Sequence, residues 1–266
     1  MRGLFAIAVA LLTITAVGCS SNDCDYKMVD GTIIYNTPER PAGQQDMLGF
    51  AAEPIECVRV GFIGLGMRGP GAVRRWCQIE GTEIVALCDL NPEGIAKSQK
   101  HIADAGRKPA AEYCGDEEAW RQLCERDDID LVYIMTDWKN HAKMALYAME
   151  CGKHVAIEVP AAMSMEEIWA LINTSERTRK HCIQLENCVY DRFEITALNM
   201  AQQGLFGEIL HVEGAYVHCL AEYWDRYYNN WRLDFNRESA GDVYPTHGIG
   251  PVCQVLNIHR GDRMKS

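Results

Sequence analysis

The chain is short of three things, and each shortage closes a class of function. Basic charge is the first: 26 Lys and Arg stand against 37 Asp and Glu, a formal net charge of −11. No basic stripe is available to neutralise phosphates, so a nucleic acid partner is excluded, and the acidic surface serves mainly solubility. Metal-ligand spacing is the second. Twelve cysteines are present, yet no C-x-x-C and no Cys/His pair at zinc spacing occurs, so no metal is expected. Long apolar runs are the third. The run from Leu4 to Val17 is too short to cross a bilayer.

That run follows Arg2 and closes on Ala16-Val17-Gly18-Cys19, which reads as a signal segment over residues 1–18. Small residues before a cysteine resemble a bacterial lipoprotein signal, with Cys19 as the lipidated N-terminus; a plain secretory signal is the alternative. Either way the protein is expected to be exported to a bacterial cell envelope and to meet the membrane only through a lipid anchor on Cys19. Residues 19–54, polar and rich in Asp, Asn, Pro and Gly, read as a tether or surface extension. Cys57, Cys88, Cys182 and Cys219 sit in strand-like apolar runs, and Cys77, Cys124, Cys151 and Cys253 in or beside helical ones, where a thiol acts as a small buried hydrophobe. An oxidising compartment leaves disulfides open.

What the chain does have is a strand, a glycine turn and a helix in that order. Val58 to Ile63 is an apolar run that stops at Gly64-x-Gly66-x-x-Gly69, and a helical pattern begins near Pro70. This is the setting a dinucleotide fingerprint needs. Gly64 permits the tight turn, Gly66 lets a pyrophosphate approach the backbone, and Gly69 lets helix and strand pack. The helix N-terminus offers N–H groups to the phosphates. The next strand, Glu83 to Asp89, ends in an acid 20 residues past Gly69, where a carboxylate can grip both ribose hydroxyls and repel a 2′-phosphate, favouring NAD over NADP. The competing reading is a glycine-rich turn with an ordinary cap, since Asn91-Pro92 also opens a helix.

From 55 to 187 strands alternate with helices. Strands are expected at 111–113, 131–135, 154–157 and 182–185, and helices at 92–106, 117–126 and 139–151. A further helix follows the capping box Ser164-x-x-Glu167, with Met165, Ile168, Trp169 and Ile172 on its core side. Repeated βα units predict an α/β Rossmann fold, a doubly wound parallel sheet. Chemistry then belongs beyond the carboxyl ends of the strands, at Gly64–Gly69, Asp89, Thr136–His141, Glu158-Val159-Pro160 and Asn187. After 187 the pattern changes. A helix over 191–203 and a strand over 207–218, with Val212, Gly214, Tyr216 and His218 on one face, lead to an aromatic stretch, Tyr223 to Arg232. Gly241 to Pro251 then opens a last helix. One strand makes no stable sheet, so residues 188–266 read as the beginning of an α+β open-sheet domain, an incomplete substrate domain.

Gly64-Leu65-Gly66-Met67-Arg68-Gly69, Asp89, Thr136 to His141 and Glu158-x-Pro160 resemble the Gfo/Idh/MocA oxidoreductases, whose usual signature is Glu-Lys-Pro with the lysine as acid/base. Here that position is Val159, which cannot move a proton. Glu158-Val159-Pro160-Ala161-Ala162, Asn187-Cys188-Val189-Tyr190, Asn230-Trp231-Arg232 and Tyr244-Pro245-Thr246-His247-Gly248 together resemble glycoside hydrolase family 109, the NAD-dependent α-N-acetylgalactosaminidases, a family that continues well past residue 266. The resemblance implies NAD held by Gly64, Gly66, Met67, Arg68, Gly69, Asp89, Trp138, Lys139, Asn140, His141, Glu158, Val159 and Asn187. It implies a terminal α-N-acetylgalactosamine glycan met by Tyr216, Arg232, Tyr244, Pro245, Thr246 and His247, with Tyr190 and His247 as the catalytic proton-transfer residues. A homo-oligomer is compatible with it.

No pair of carboxylates suited to ordinary glycoside hydrolysis stands out. The resemblance implies another route: oxidation of the sugar at C3, loss of the acidified C2 proton to a base such as Tyr190, elimination at C1, addition of water, and return of the hydride. Two other readings stand beside it, a sugar dehydrogenase of the Gfo/Idh/MocA type and an NAD-binding fragment without catalysis. By the residues alone, His247 is also compatible with a helix N-terminal residue satisfied by backbone. Arg232 is compatible with a surface pair to Asp234 or Glu238, and Tyr223 to Trp231 with a packing cluster.

Overall fold

The computed structural model of the chain describes residues 26–35, 37–219, 221–223, 230–238, 245–261 and 264. The signal segment, Cys19, Trp224 to Asn229 and Tyr244 lie outside them. The chain divides into two units, the second beginning at Pro38. In the first, β1 (Tyr26–Val29) pairs antiparallel with β2 (Thr32–Tyr35). Asp30 and Gly31 link them at φ of 49° and 80°, the two-residue turn whose twist suits a hairpin. Part of the expected tether is therefore a local hairpin, made by its Asp-Gly turn.

The second unit is built on β3 (Val58–Ile63), β4 (Thr82–Asp89), β5 (Ala111–Cys114), β6 (Leu131–Ile134), β7 (His154–Ile157) and β8 (Cys182–Gln184). They form one parallel sheet in the order β5-β4-β3-β6-β7-β8. Helices α1 (Gly69–Trp76), α2 (Pro92–Asp104), α3 (Ala119–Cys124), α4 (Trp138–Glu150) and α5 (Met165–Thr178) make the crossovers. Strand order reverses between β3 and β6, so the crevice of a doubly wound sheet opens at their carboxyl ends.

Burial on both faces explains the unbroken apolar runs. Val60 and Phe62 join one core with Leu65, Val73 and Leu87, while Ile63 joins the other with Leu123, Ile134 and Met149. Gly61 sits between them because a Cβ there would lie 2.7 Å from Leu123 Cδ2. Polar side chains start the helices: Asn91 Oδ1 accepts from the Glu93 N–H at 2.9 Å, Asp137 Oδ1 from Lys139 at 3.1 Å, and Ser164 Oγ from Glu167 at 3.2 Å.

Three expectations are corrected. The core side of α5 is Leu171, Thr174, Ser175 and Glu176, whereas Ile168 and Ile172 are each 40% exposed. The cause is the chain entering the unit. Arg40 donates to both Glu176 oxygens, at 3.0 and 3.1 Å, and Gln44 to Oε2 at 2.7 Å. Arg179 stacks on Phe50 at 4.3 Å and bonds the carbonyls of Gln45 and Asp46, both at 2.9 Å. A carboxylate that brings its own partners can be buried, and apolar periodicity does not register it. Residues 38–50 are thus docked against α5, not a free tether. Finally, 207–218 contains no strand, since nothing among the described residues supplies it a ladder.

The Arg40 and Gln44 hydrogen bonds hold the Glu176 carboxyl below the usual carboxylate range. A depressed folded value means the contribution is complete above the unfolded value of about 4.3 and fades as pH falls through the folded one. Amide protection at 44–50, after correction for the intrinsic exchange rate, is expected to hold at pH 5 and to fall below about pH 4 ahead of that of the core strands. A uniform fall would contradict this anchor.

After β8 the chain makes a 3-10 turn, Cys188–Tyr190, then α6 (Arg192–Gln202), α7 (Trp231–Glu238) and α8 (Thr246–Val255). The ten described cysteines are all free.

Candidate active site

The crevice at the β3/β6 switch point is a cleft of about 610 Å³. Its floor is the glycine turn. Gly64 has φ +91°, and a Cβ on it would lie 2.6 Å from the Met135 carbonyl carbon at the end of β6. Gly69 is pinned likewise, its Cβ position 2.5 Å from the Gly64 oxygen. Gly66 differs: nothing lies within 4 Å of its Cβ position, and the open side faces the cleft. Two glycines are thus demanded by the fold, and the third leaves room for a ligand against the backbone. Asp89, at the end of β4, accepts from the Leu65 N–H inside the turn and from Asn91 N–H at 2.7 Å. These features fit a dinucleotide, with Gly64, Gly66, Met67, Arg68, Asp89 and Asn140 among the lining residues.

Other expected cofactor residues lie elsewhere. His141 is 1% exposed. Its Nδ1 faces the Pro160 carbonyl at 2.8 Å and its Nε2 the Thr136 carbonyl at 3.1 Å, and burial pushes its pKa down. It ties the end of β6 to the loop 158–161 and does not line the cleft. Val159 is also buried, next to a cis bond to Pro160. Glu158 accepts from the Tyr133 hydroxyl at 2.8 Å. Trp138 is buried between Trp231 and Phe235, each 5.0 Å away between ring centroids. Lys139 is exposed and meets Glu238 at 3.6 Å. Asn187 is exposed.

Arg232, expected at the sugar, lines the dinucleotide cleft with Asn230 and Trp231. Its guanidinium lies 5.3 Å from the Trp231 ring centroid and 5.5 Å from that of Trp138, so the first turn of α7 borders the cleft. The remaining lining includes residues the sequence reading passed over: Asp116, Glu117, Glu118, Trp120 and Lys143. Asp116 to Glu118 follow β5, and the rule of strand ends would have found them had that strand been weighed equally.

A second cluster forms beyond β8. Glu186, two residues past the strand, meets His247 on α8: Oε1 lies 2.6 Å from Nδ1, and the side chains are 9% and 2% exposed. The same oxygen accepts from the Cys188 N–H at 2.8 Å, while Oε2 is buried without a hydrogen-bond partner among the described residues. Tyr216 lies on His247 at 4.4 Å and His218 on Tyr216 at 4.3 Å, between centroids. The alternation of 214, 216 and 218 thus survives without a ladder. Ligand atoms of Glu186, Cys188 and His247 lie within 4.8 Å of one another. Burial and then the Glu186 charge push the Cys188 thiol up to about 11. Tyr190 is 73% exposed on the adjoining turn. Pro245 caps α8, and Thr246 lines a separate groove beside Ile168 and Ile172. The clusters are linked through loop 158–161: His141 holds Pro160, and the Ala161 N–H donates to Gln184 of β8 at 3.1 Å.

Residues 58–185 match the family model for the oxidoreductase family, NAD-binding Rossmann fold, and residues 190–266 match that for the glycosyl hydrolase 109 C-terminal domain. Glycosyl hydrolase family 109 protein 1 of Bacteroides thetaiotaomicron is 63% identical over 262 residues, covering 96% of this chain and 56% of that one. The protein of the same name in Phocaeicola vulgatus is 70% identical over 229 residues, covering 86% and 49%. The chain spans about half the length of the curated relatives it matches. Among solved structures, scyllo-inositol dehydrogenase from Lactobacillus casei, with NAD(H) and scyllo-inositol bound, superposes with a TM-score of 0.62 at 18% identity, covering 75% of this chain and 56% of that one. That likeness shows the fold alone.

Proposed function

We infer the activity from one premise: this chain belongs to glycosyl hydrolase family 109 and carries an NAD-binding Rossmann domain. The protein hydrolyses terminal α-N-acetylgalactosamine with a bound NAD that leaves the cycle unchanged. The observation that carries this reading is a dinucleotide cleft at the switch point of a glycosidase-family chain, built from the Gly64 turn, the open Gly66 and Asp89. When bound, the dinucleotide supplies reversible removal of hydride from a ring carbon of the sugar, and the resulting ketone acidifies the neighbouring C–H. The chain's own residues handle the protons. His247 takes the proton of the hydroxyl at the oxidised carbon and returns it at the end. Tyr190 takes the C2 proton, the leaving group departs from C1, and water adds. A simple dehydrogenase is disfavoured by Val159, buried where that wider family resemblance implies an acid/base lysine.

The test is hydrolysis of a chromogenic α-N-acetylgalactosaminide in D₂O without added cofactor. Deuterium at C2 of the released sugar, with no net reduced dinucleotide, is expected. Product that retains C2–H rejects the elimination route, and net accumulation of reduced dinucleotide favours the dehydrogenase.

A further inference from the structure

We infer that Glu186 is the positioning residue for the His247 base, holding the imidazole by Nδ1 so that the ring exchanges protons with substrate through Nε2. This rests on the reading of His247 as a proton-transfer group. A carboxylate only accepts hydrogen bonds, so the Nδ1 that faces Glu186 Oε1 at 2.6 Å carries the proton. The lone pair is then on Nε2. This is the orienter–base half of a triad arrangement, recognised by geometry rather than sequence position.

Three further observations separate this from a pair that only cements the fold. First, both side chains are nearly fully buried, so the carboxylate's charge acts on the ring with little screening by water. Second, the carboxylate oxygen with bonded donors is the one that faces the ring. Oε1 holds two donors, Nδ1–H and the Cys188 N–H, and Oε2 none among the described residues. The oxygen facing the ring is thus also fixed by a backbone donor, which sets the position from which it accepts Nδ1–H. Third, α8 is shaped for the approach. A Cβ on Gly250 would lie 2.9 Å from Val189 Cγ1 and 3.1 Å from Glu186 Cγ, and one on Gly248 would lie 3.0 Å from the Gly214 oxygen. Glycine at both positions lets the helix bring His247 onto the carboxylate, and Tyr216 covers the ring.

The proton balance is simple. The sugar O–H bond breaks, its electron pair stays on oxygen, and the proton forms the Nε2–H bond. The ring becomes imidazolium and keeps its Nδ1–H on Glu186, whose charge compensates it. The reverse step restores both.

The test combines ¹⁵N resonances of His247 with kinetics on the purified protein. Wild-type His247 is expected as the Nδ1–H tautomer. Glu186→Gln removes the charge and lets the amide donate or accept, so the tautomer mixes, and kcat falls by about 100-fold or more. KM and dinucleotide affinity are expected to stay within about twofold, because neither involves the carboxylate directly. Glu186→Asp, which keeps the acceptor, is expected to restore the tautomer signature and part of kcat. An Nε2–H tautomer in the wild type, or a Glu186→Gln variant within about threefold of wild-type kcat, overturns the inference. Should Glu186→Gln fail to fold, the wild-type tautomer and the Asp variant decide it. Absence of wild-type glycosidase activity would reject the functional reading instead, leaving the tautomer to report separately on the Glu186 hold.

Discussion

Gly64→Ala is expected to abolish dinucleotide binding and to lower Tm, while Gly66→Ala abolishes binding and leaves Tm unchanged. At Gly64 the backbone has φ +91°, and the added methyl would meet the Met135 carbonyl carbon at 2.6 Å and the Thr136 nitrogen at 2.8 Å. Both are main-chain atoms of the β6 end, which cannot rotate away. The left-handed conformation costs about 1–2 kcal/mol for an L-residue, and forcing the turn off β6 adds about 1–3 kcal/mol, as overpacking does. The sum is a sizeable part of a typical domain's stability of about 5–15 kcal/mol, and corresponds to a Tm drop of roughly 5–15 °C. The turn would also carry the Leu65 N–H away from Asp89. Gly66 has no atom within 4 Å of its Cβ position, so alanine there disturbs nothing in the fold. Its methyl stands where a pyrophosphate must approach the main chain. Calorimetric titration with NAD and a thermal melt read the two effects. A Gly66→Ala protein that binds NAD normally would remove the dinucleotide from this cleft.

The contrast between those glycines shows how much was legible beforehand. The turn, the strand that feeds it and the acid 20 residues on are local in sequence, and a sheet buried on both faces announces its strands as apolar runs. What escaped depends on partners far along the chain. Glu176 is buried on α5 because Arg40, 136 residues earlier, meets it, so an apolar count placed the core face on Ile168 and Ile172 instead. Glu186 directly follows the expected strand 182–185, and its place against the imidazole depends on His247, 61 residues later. The β5 edge strand is only partly buried, which hid the acids after it that line the cleft. Arg232 carried a role by resemblance, and its place against Trp138 and Trp231 follows from packing that no spacing encodes.

Tyr190→Phe is expected to lower hydrolysis by about 10²–10⁴-fold, the range of a lost general base, while sparing the oxidation step. Tyr190 and His247 belong to elements in direct contact, since Gly250 of α8 packs on Val189 of the turn that carries Tyr190, yet their settings differ sharply. His247 is buried on a carboxylate and Tyr190 is 73% exposed. A C–H proton is removed only after the ketone exists, so a residue dedicated to it can be deleted without stopping what precedes it. The phenylalanine variant, mixed with substrate in D₂O, should show transient reduced dinucleotide by absorbance and no deuterium at C2. His247→Asn should show neither, because the hydroxyl proton has nowhere to go when hydride departs. Loss of C2 exchange in His247→Asn with oxidation intact would exchange the two roles. Full activity in Tyr190→Phe would leave the buried imidazole as the base for both protons, a result the geometry accommodates only if one ring can reach C2 and the C3 hydroxyl in turn.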